Sequence, residues 1–150
     1  MALLRTLSLM LILTLMSLGP AWASMASIGK DNVNVRNAPN LKADILFKIH
    51  FGFPVEVQQT KGTWVQIEDW DGNSGWIYRP LINRKVQTAL VLPDSVNIRK
   101  GPGLKYPVVS KAAGGEIYKI FAEKGDWVRI GYYLENQPLG WVRNDLVWGE

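Results

Sequence analysis

One stretch of this 150-residue chain occurs twice. Asp31–Asn40 reads D-N-V-N-V-R-N-A-P-N and Asp94–Gly103 reads D-S-V-N-I-R-K-G-P-G, an offset of 63. The same offset carries Gly62-Thr63-Trp64-Val65-Gln66-Ile67 onto Gly125-Asp126-Trp127-Val128-Arg129-Ile130, and Val55 and Val57 onto Tyr118 and Ile120. Gly75-Trp76-Ile77 and Gly140-Trp141-Val142 match at an offset of 65, so two extra residues have entered the second copy between Ile130 and Gly140. Self-similarity at a fixed spacing decides architecture before any local reading does. The chain is a tandem repeat of one small unit.

Within each unit the apolar period is two. Val33 and Val35 alternate with Asn32, Asn34 and Arg36; Val55 and Val57 alternate with Glu56 and Gln58; Val65 and Ile67 alternate with Trp64, Gln66 and Glu68. The second copy repeats this with Val96 and Ile98, Tyr118 and Ile120, and Val128 and Ile130. That pattern belongs to half-buried strands. Turn signals separate them: Asn37–Asn40 and Lys100–Gly103, Lys61-Gly62 and Lys124-Gly125, and Asp71-Gly72, where a tight hairpin with positive φ at both residues is expected. Arg79-Pro80-Leu81-Ile82 and Arg143-Asn144-Asp145-Leu146 offer at most one helical turn each. Short strands about ten residues apart, with one long early loop, predict an all-β chain of two small closed barrels, each of five or six strands.

The barrels are expected over residues 24–85 and 86–150, joined by the polar linker Asn83–Gln87 and close enough to touch. A barrel of about 60 residues buries only about 60% of the surface its unfolded chain exposes, so each is marginal alone. Small exported domains often compensate with disulfides, but this chain has no cysteine. A disulfide framework, a thiol nucleophile and a lipidated N-terminal cysteine are excluded together.

Residues 1–23 read as a cleavable signal peptide. Arg5 is the basic n-region, Thr6–Leu18 is mostly apolar, Gly19-Pro20 breaks the run, and Ala21-Trp22-Ala23 supplies the small residues a signal peptidase needs. The apolar run is shorter than the roughly 20 residues a bilayer crossing requires, so no stable membrane anchor is expected after cleavage. Removing Arg5 leaves 16 basic and 13 acidic residues, a net charge of +3. The pI of about 9.4 comes with no basic run or stripe, so nucleic acid is not an expected partner.

The strand V-N-V-R-N-A-P-N at Val33–Asn40, and V-N-I-R-K-G-P-G at Val96–Gly103 with the following Lys105-Tyr106-Pro107-Val108, resemble the opening motif of bacterial SH3 (SH3b) domains, which leads into a long RT-type loop. Gly62-Thr63-Trp64-Val65 and Gly125-Asp126-Trp127-Val128 resemble the family's G-x-W-V strand. Gly75-Trp76-Ile77 and Gly140-Trp141-Val142 resemble its closing G-W-V strand. The first copy departs from the pattern, with Ala38 and Asn40 at the glycine positions and Ala43 at the tyrosine position. Any positive φ needed there makes the first barrel the less stable of the two. The resemblance implies SH3-like barrels in a periplasmic or secreted binding module, commonly directed at cell-wall peptidoglycan or its peptides.

Catalysis finds little to work with. His50 is the one histidine, a zinc site of His and Cys lacks its ligands, and Glu68, Asp69 and Asp71 crowd a hairpin. The chain is expected not to be an enzyme and to need no cofactor. The aromatic residues say more. With Val65, Ile67, Val128 and Ile130 inside, Trp64 and Trp127 face outward, Trp127 on the face of Arg129. They either cover a barrel end or offer an apolar platform to a peptide or sugar ring. Trp70 and Tyr133 match at the variable hairpin, where packing demands are weakest, and Tyr106 lies in the second RT-type loop. Arg36 and Arg99 recur at the strand-to-loop corner, where a guanidinium can hold loop carbonyls or fork onto a carboxylate.

The expected ligand-binding set is therefore Arg36, Trp64, Trp70, Arg99, Tyr106, Trp127, Arg129 and Tyr133, with the second repeat, which keeps the fuller motif, dominant. The expected ligand is peptidoglycan or its peptides; the alternative is an envelope scaffold that binds a protein such as a wall hydrolase. Export itself is testable. A cut between Ala23 and Ser24 removes the whole apolar run and spares the first strand, whereas a cut after Ala26 trims it. Intact-mass measurement of exported protein is expected to show a chain beginning at Ser24; a species retaining Met1–Leu18 would mean an anchored protein.

Overall fold

The computed structural model describes residues 24–150. The signal peptide expected over residues 1–23 lies outside the described residues. The first unit contains β1 Ser24–Ile28, β2 Val33–Arg36, β3 Ile45–Ile49, β4 Pro54–Lys61, β5 Trp64–Glu68, β6 Ser74–Tyr78 and β7 Ile82–Asn83. The second contains β8 Thr88–Val91, β9 Ser95–Arg99, β10 Val108–Ala113, β11 Ile117–Lys124, β12 Trp127–Tyr132, β13 Gln137–Arg143 and β14 Val147–Trp148. Hydrogen bonding orders them β3-β2-β6-β5-β4-β1-β7 and β10-β9-β13-β12-β11-β8-β14, the same topology twice. One 3-10 turn interrupts each unit, at Arg79–Leu81 and Asn144–Leu146. Among the described residues no helix is long and apolar enough to cross a membrane.

The period of two fills both interiors as expected. Val33, Val35, Val55, Val57, Val65, Ile67 and Ile77 form one core with Ala26, Ile28 and Ile49. Val96, Ile98, Tyr118, Val128, Ile130 and Val142 form the other with Ala89, Val91, Ala112 and Val147. Each unit has seven strands where five or six were expected. The two-residue strands β7 and β14 are too short to show any periodicity. β3 and β10, at the sheet edges, expose Ile45 and Leu46 or Val108 and Val109 and so break the alternation.

The turns differ from expectation in an informative way. The tight two-residue hairpins are Gly62-Thr63 and Gly125-Asp126, with Gly62 at φ 59° and Gly125 at φ 56°. Asp71-Gly72 sits instead in the longer loop Asp69–Asn73, where Gly72 alone has positive φ, at 81°. Asp69 organises that loop, its Oδ1 accepting from the backbone N–H groups of Asp71 at 3.0 Å and Asn73 at 2.9 Å. In the RT-type loops Gly101 and Gly103 have no positive φ, and neither do Ala38 and Asn40. The expected backbone penalty on the first barrel is therefore absent.

The barrels do touch, and the contact is polar and aromatic. The Thr88 hydroxyl, buried to 1% exposure, donates to the Gly52 carbonyl at 2.6 Å. The fully buried Ser27 hydroxyl donates to the Val86 carbonyl at 2.8 Å. Asn83 Oδ1 caps the linker by accepting from the N–H groups of Lys85 and Val86 at 2.9 and 3.2 Å. Phe51 meets Tyr133 edge to face, ring centroids 4.6 Å apart. Buried polar groups need partners, and these partners cross between the repeats.

The second core carries Tyr118 where the first has Val55. Its hydroxyl donates to Glu116 Oε2 at 2.7 Å, which also accepts from the Ala113 N–H at 2.8 Å. Burial, and then the Glu116 carboxylate, push the Tyr118 phenol well above the ordinary tyrosine range. The phenol, and then the Ala113 N–H, hold the Glu116 carboxyl below its ordinary value. A folded pKa raised above the unfolded value of about 10 stabilises fully below that pH and fades as pH rises towards the folded value. The stability gap between the native sequence and Tyr118→Phe is expected to narrow above about pH 10, read by urea unfolding at about pH 8 and pH 11. A gap that stays constant would mean that the phenol ionises alike in both states.

Candidate functional site: a groove built twice

A groove opens at equivalent places on the two barrels, with volumes of about 240 Å³ in the first and 260 Å³ in the second. Both are lined at matching positions: Asn34 and Asn97, Arg36 and Arg99, Leu41 and Leu104, Trp64 and Trp127, and Leu81 and Leu146. The local reasons are the same on each side. β5 and β12 turn their Val and Ile inward, which sends Trp64 and Trp127 out to the groove, each half-buried. The RT-type loop supplies an exposed leucine, Leu41 at 75% or Leu104 at 70%. The 3-10 turn closes the far end with Leu81 or Leu146.

Arg36 and Arg99 serve the loop. Arg36 Nη1 donates to the Ala43 carbonyl at 2.7 Å, and Arg99 Nη1 donates to the Leu104 and Tyr106 carbonyls at 3.2 and 2.9 Å. Both reach the groove while fastening the RT-type loop that forms its wall. Gly75 and Gly140 permit this close assembly. A Cβ on Gly140 would lie 2.5 Å from the Arg99 carbonyl, and one on Gly75 would lie 2.9 Å from that of Arg36.

The grooves diverge most at the position opposite the tryptophan. Trp64 faces Tyr78 across β5 and β6, their ring centroids 5.9 Å apart at 63°. Trp127 faces Arg143 across β12 and β13 instead. Arg143 forks onto Asp145, Nε to Oδ1 at 3.0 Å and Nη2 to Oδ2 at 2.8 Å. Lys30 and Asp31 line the first groove only, and Asp31 Oδ1 accepts from the Phe51 N–H at 3.0 Å. Asn34 Oδ1, on the first groove, is buried with no hydrogen-bond partner; in the second groove Asn97 is exposed.

The remaining sequence-derived candidates lie elsewhere. Arg129 is exposed on β12 but sits opposite Trp141 in register, outside the groove. Trp70 is 50% exposed at the tip of the Asp69–Asn73 hairpin. Tyr133 was expected where packing is weak, yet it packs on Phe51 between the barrels, and Asn83 Nδ2 donates to its hydroxyl at 3.4 Å. Tyr106 folds its ring onto Gly101, where a Cβ would lie 2.6 Å from the ring carbons. The glycine is thus a matter of space rather than of φ, and the first repeat has Ala38 and Ala43 at the two equivalent positions. Sequence reasoning missed Asn34, Leu41, Tyr78, Leu81 and their counterparts; recurrence of Asn34 and Leu41 at the repeat offset was the available signal.

Residues 29–83 match a family model described as bacterial SH3 domain, and residues 94–147 match a second model with the same description. The chain belongs to the bacterial SH3 domain family. A Bacillus subtilis (strain 168) protein named "Putative N-acetylmuramoyl-L-alanine amidase YrvJ" is 28% identical over 132 residues, which is 81% of this chain and 25% of that protein. This tandem bacterial SH3 chain thus spans a quarter of that relative's length. Two solved structures, NlpC2 and NlpC1 from Trichomonas vaginalis, align over 85% of the chain at 13% identity and a TM-score of 0.38, covering 48% and 46% of those chains.

The Gly101–Tyr106 packing gives a direct test of how these SH3 loops are built. Gly101→Ala is expected to cost about 1–3 kcal/mol through overpacking against the ring. In a Tyr106→Ala background, which recreates the first repeat's pair, the same change is expected to cost less than half as much, a coupling within the usual range for touching residues. Urea unfolding of the four proteins reads the cycle. An unchanged cost would show that the ring is not what excludes a side chain at Gly101.

Proposed function

We propose that this is an exported, non-catalytic tandem bacterial SH3 protein, periplasmic or secreted, that binds cell-wall peptidoglycan or its peptides. The observation that carries this reading is the duplicated groove, which sets a half-buried tryptophan between an RT-type loop and a 3-10 turn on each barrel. An indole at such a place offers large apolar area at small entropic cost, which suits a sugar ring or a short peptide. The relative's printed name, an N-acetylmuramoyl-L-alanine amidase, supports a wall ligand. In this reading Asp69 is spent on its hairpin and His50 is a surface residue before the Phe51-Gly52 turn, so neither is assigned a catalytic part.

Two weak grooves on one chain gain through effective concentration when a polymer presents repeated ligands. Sedimentation with purified sacculi tests the proposal. The native chain is expected to pellet, and Trp127→Ala to weaken binding at least about tenfold, equivalent to about 1.4 kcal/mol. Trp64→Ala is expected to act in the same direction. A thermal melt beside each assay is part of the test, because a collapsed melt would make the indole a structural residue. A native chain that stays in the supernatant at low salt would remove the wall reading.

A second reading has its own observation. The edge strands β3 and β10 expose apolar pairs at matching positions, Ile45 and Leu46 at 48% and 51%, Val108 and Val109 at 45% and 50%. Each edge strand pairs on one side only, with β2 or β9. An extended segment of an envelope protein, such as a wall hydrolase, can add to such an edge. Binding to sacculi stripped of protein separates the two readings.

A further inference from the structure

We propose that the two grooves read different chemistry and that Arg143 makes the second one selective for a ligand ending in a carboxylate. This rests on the wall-peptide reading, within which it names the ligand group. The position is one where the grooves diverge: Tyr78 in the first, Arg143 in the second, each directly opposite the groove tryptophan. Tyr78 completes an aromatic corner with Trp64. That corner accepts a ring or an apolar body and brings no formal charge.

Arg143 brings a guanidinium whose plane is already fixed. Its Nε and Nη2 are held by Asp145, so only Nη1 is left without a protein acceptor among the described residues. A pinned guanidinium loses little freedom when it takes one more acceptor, which distinguishes it from a free lysine. Arg99 enters the same groove from the RT-type loop, held by the Leu104 and Tyr106 carbonyls. Trp127 thus lies in a groove lined by two arginines, one of them paired with the Asp145 carboxylate beside the lining. The first groove contains Arg36 and Lys30, but Asp31 lines it too and is held in place by the Phe51 N–H. A carboxylate ligand meets like charge there that only a backbone N–H engages, whereas beside the second groove the Asp145 carboxylate is covered by the Arg143 fork. The second groove favours an anionic end, and the first a neutral ring.

The test uses the chain from Ser24 to Glu150, followed by the indole N–H signals of Trp64 and Trp127 in a nuclear magnetic resonance titration. The probes are N-acetyl-alanyl-alanine and its C-terminal amide, which differ only in the terminal charge. At Trp127 the acid is expected to bind about two- to fivefold more tightly than the amide, the range for one exposed charge pair. The preference is expected to shrink as salt is raised. Arg143→Gln is expected to abolish it, and Tyr78→Arg to raise the acid preference at Trp64. Equal affinity for acid and amide at Trp127, a preference that survives Arg143→Gln, or no response at Trp127 to either probe would each overturn the proposal.

Sacculus sedimentation of the same chain reads the wall proposal separately. A chain that prefers the acid at Trp127 but does not pellet keeps the carboxylate site and loses the wall. A chain that pellets without an acid preference keeps the wall and loses the carboxylate site.

Discussion

The strand β8 is buried on both faces, and much of the molecule follows from that. Ala89 and Val91 point into the second core, while Thr88 and Leu90 point away from it and are buried as well. A barrel this small cannot cover both sides of its first strand with its own residues. Here the outer side lies towards the first repeat, where the Gly52 carbonyl takes the Thr88 hydroxyl. On the first barrel the matching strand β1 buries Ser27 under the linker in the same way. A chain without cysteine gains through this junction part of the burial that disulfides would otherwise replace. Gly149 belongs to the same seam: its positive φ of 123° brings the C-terminal backbone against Thr88 and Pro54, where a Cβ would lie 2.1 Å from the Thr88 carbonyl.

Fixing the barrels to each other leaves the groove faces free to differ. The repeats share most of the inward-facing positions that close the cores, with Tyr118 for Val55 and Ala112 for Ile49 as exceptions, and their grooves diverge at an exposed position. Tyr78 and Arg143 are both exposed, so neither exchange disturbs a core. Gly101 with Tyr106, and Ala38 with Ala43, show the converse case. In the second repeat the two positions touch, so a side chain at Gly101 would need a smaller residue than Tyr106. Duplication has conserved the scaffold through its buried residues and altered recognition through its exposed ones. The two-residue insertion in the β12–β13 hairpin fits this division. It adds no strand, and Tyr133, in the hairpin that carries it, packs on Phe51 at the junction between barrels.

The fold was legible because a period of two in Val and Ile fixes which side of each strand is inside, and the 63-residue offset made the reading twice over. That alternation also determined that Trp64 and Trp127 face outward, since a strand that buries Val65 and Ile67 has no other side for the indole. Registers across strands were not legible. Only pairing shows that Trp127 lies opposite Arg143 while Arg129 lies opposite Trp141, because hydrogen-bonded neighbours are far apart in sequence. The reason for Gly101 was hidden likewise: a glycine looks the same whether it serves a positive φ or yields its volume to a ring. What the sequence by itself determined is the all-β tandem architecture and the inward set of residues, which are local consequences of alternation. What the tertiary structure alone decided is which outward residues share a groove, and that Tyr133 joins the two barrels, because both depend on loops and strands meeting at long range.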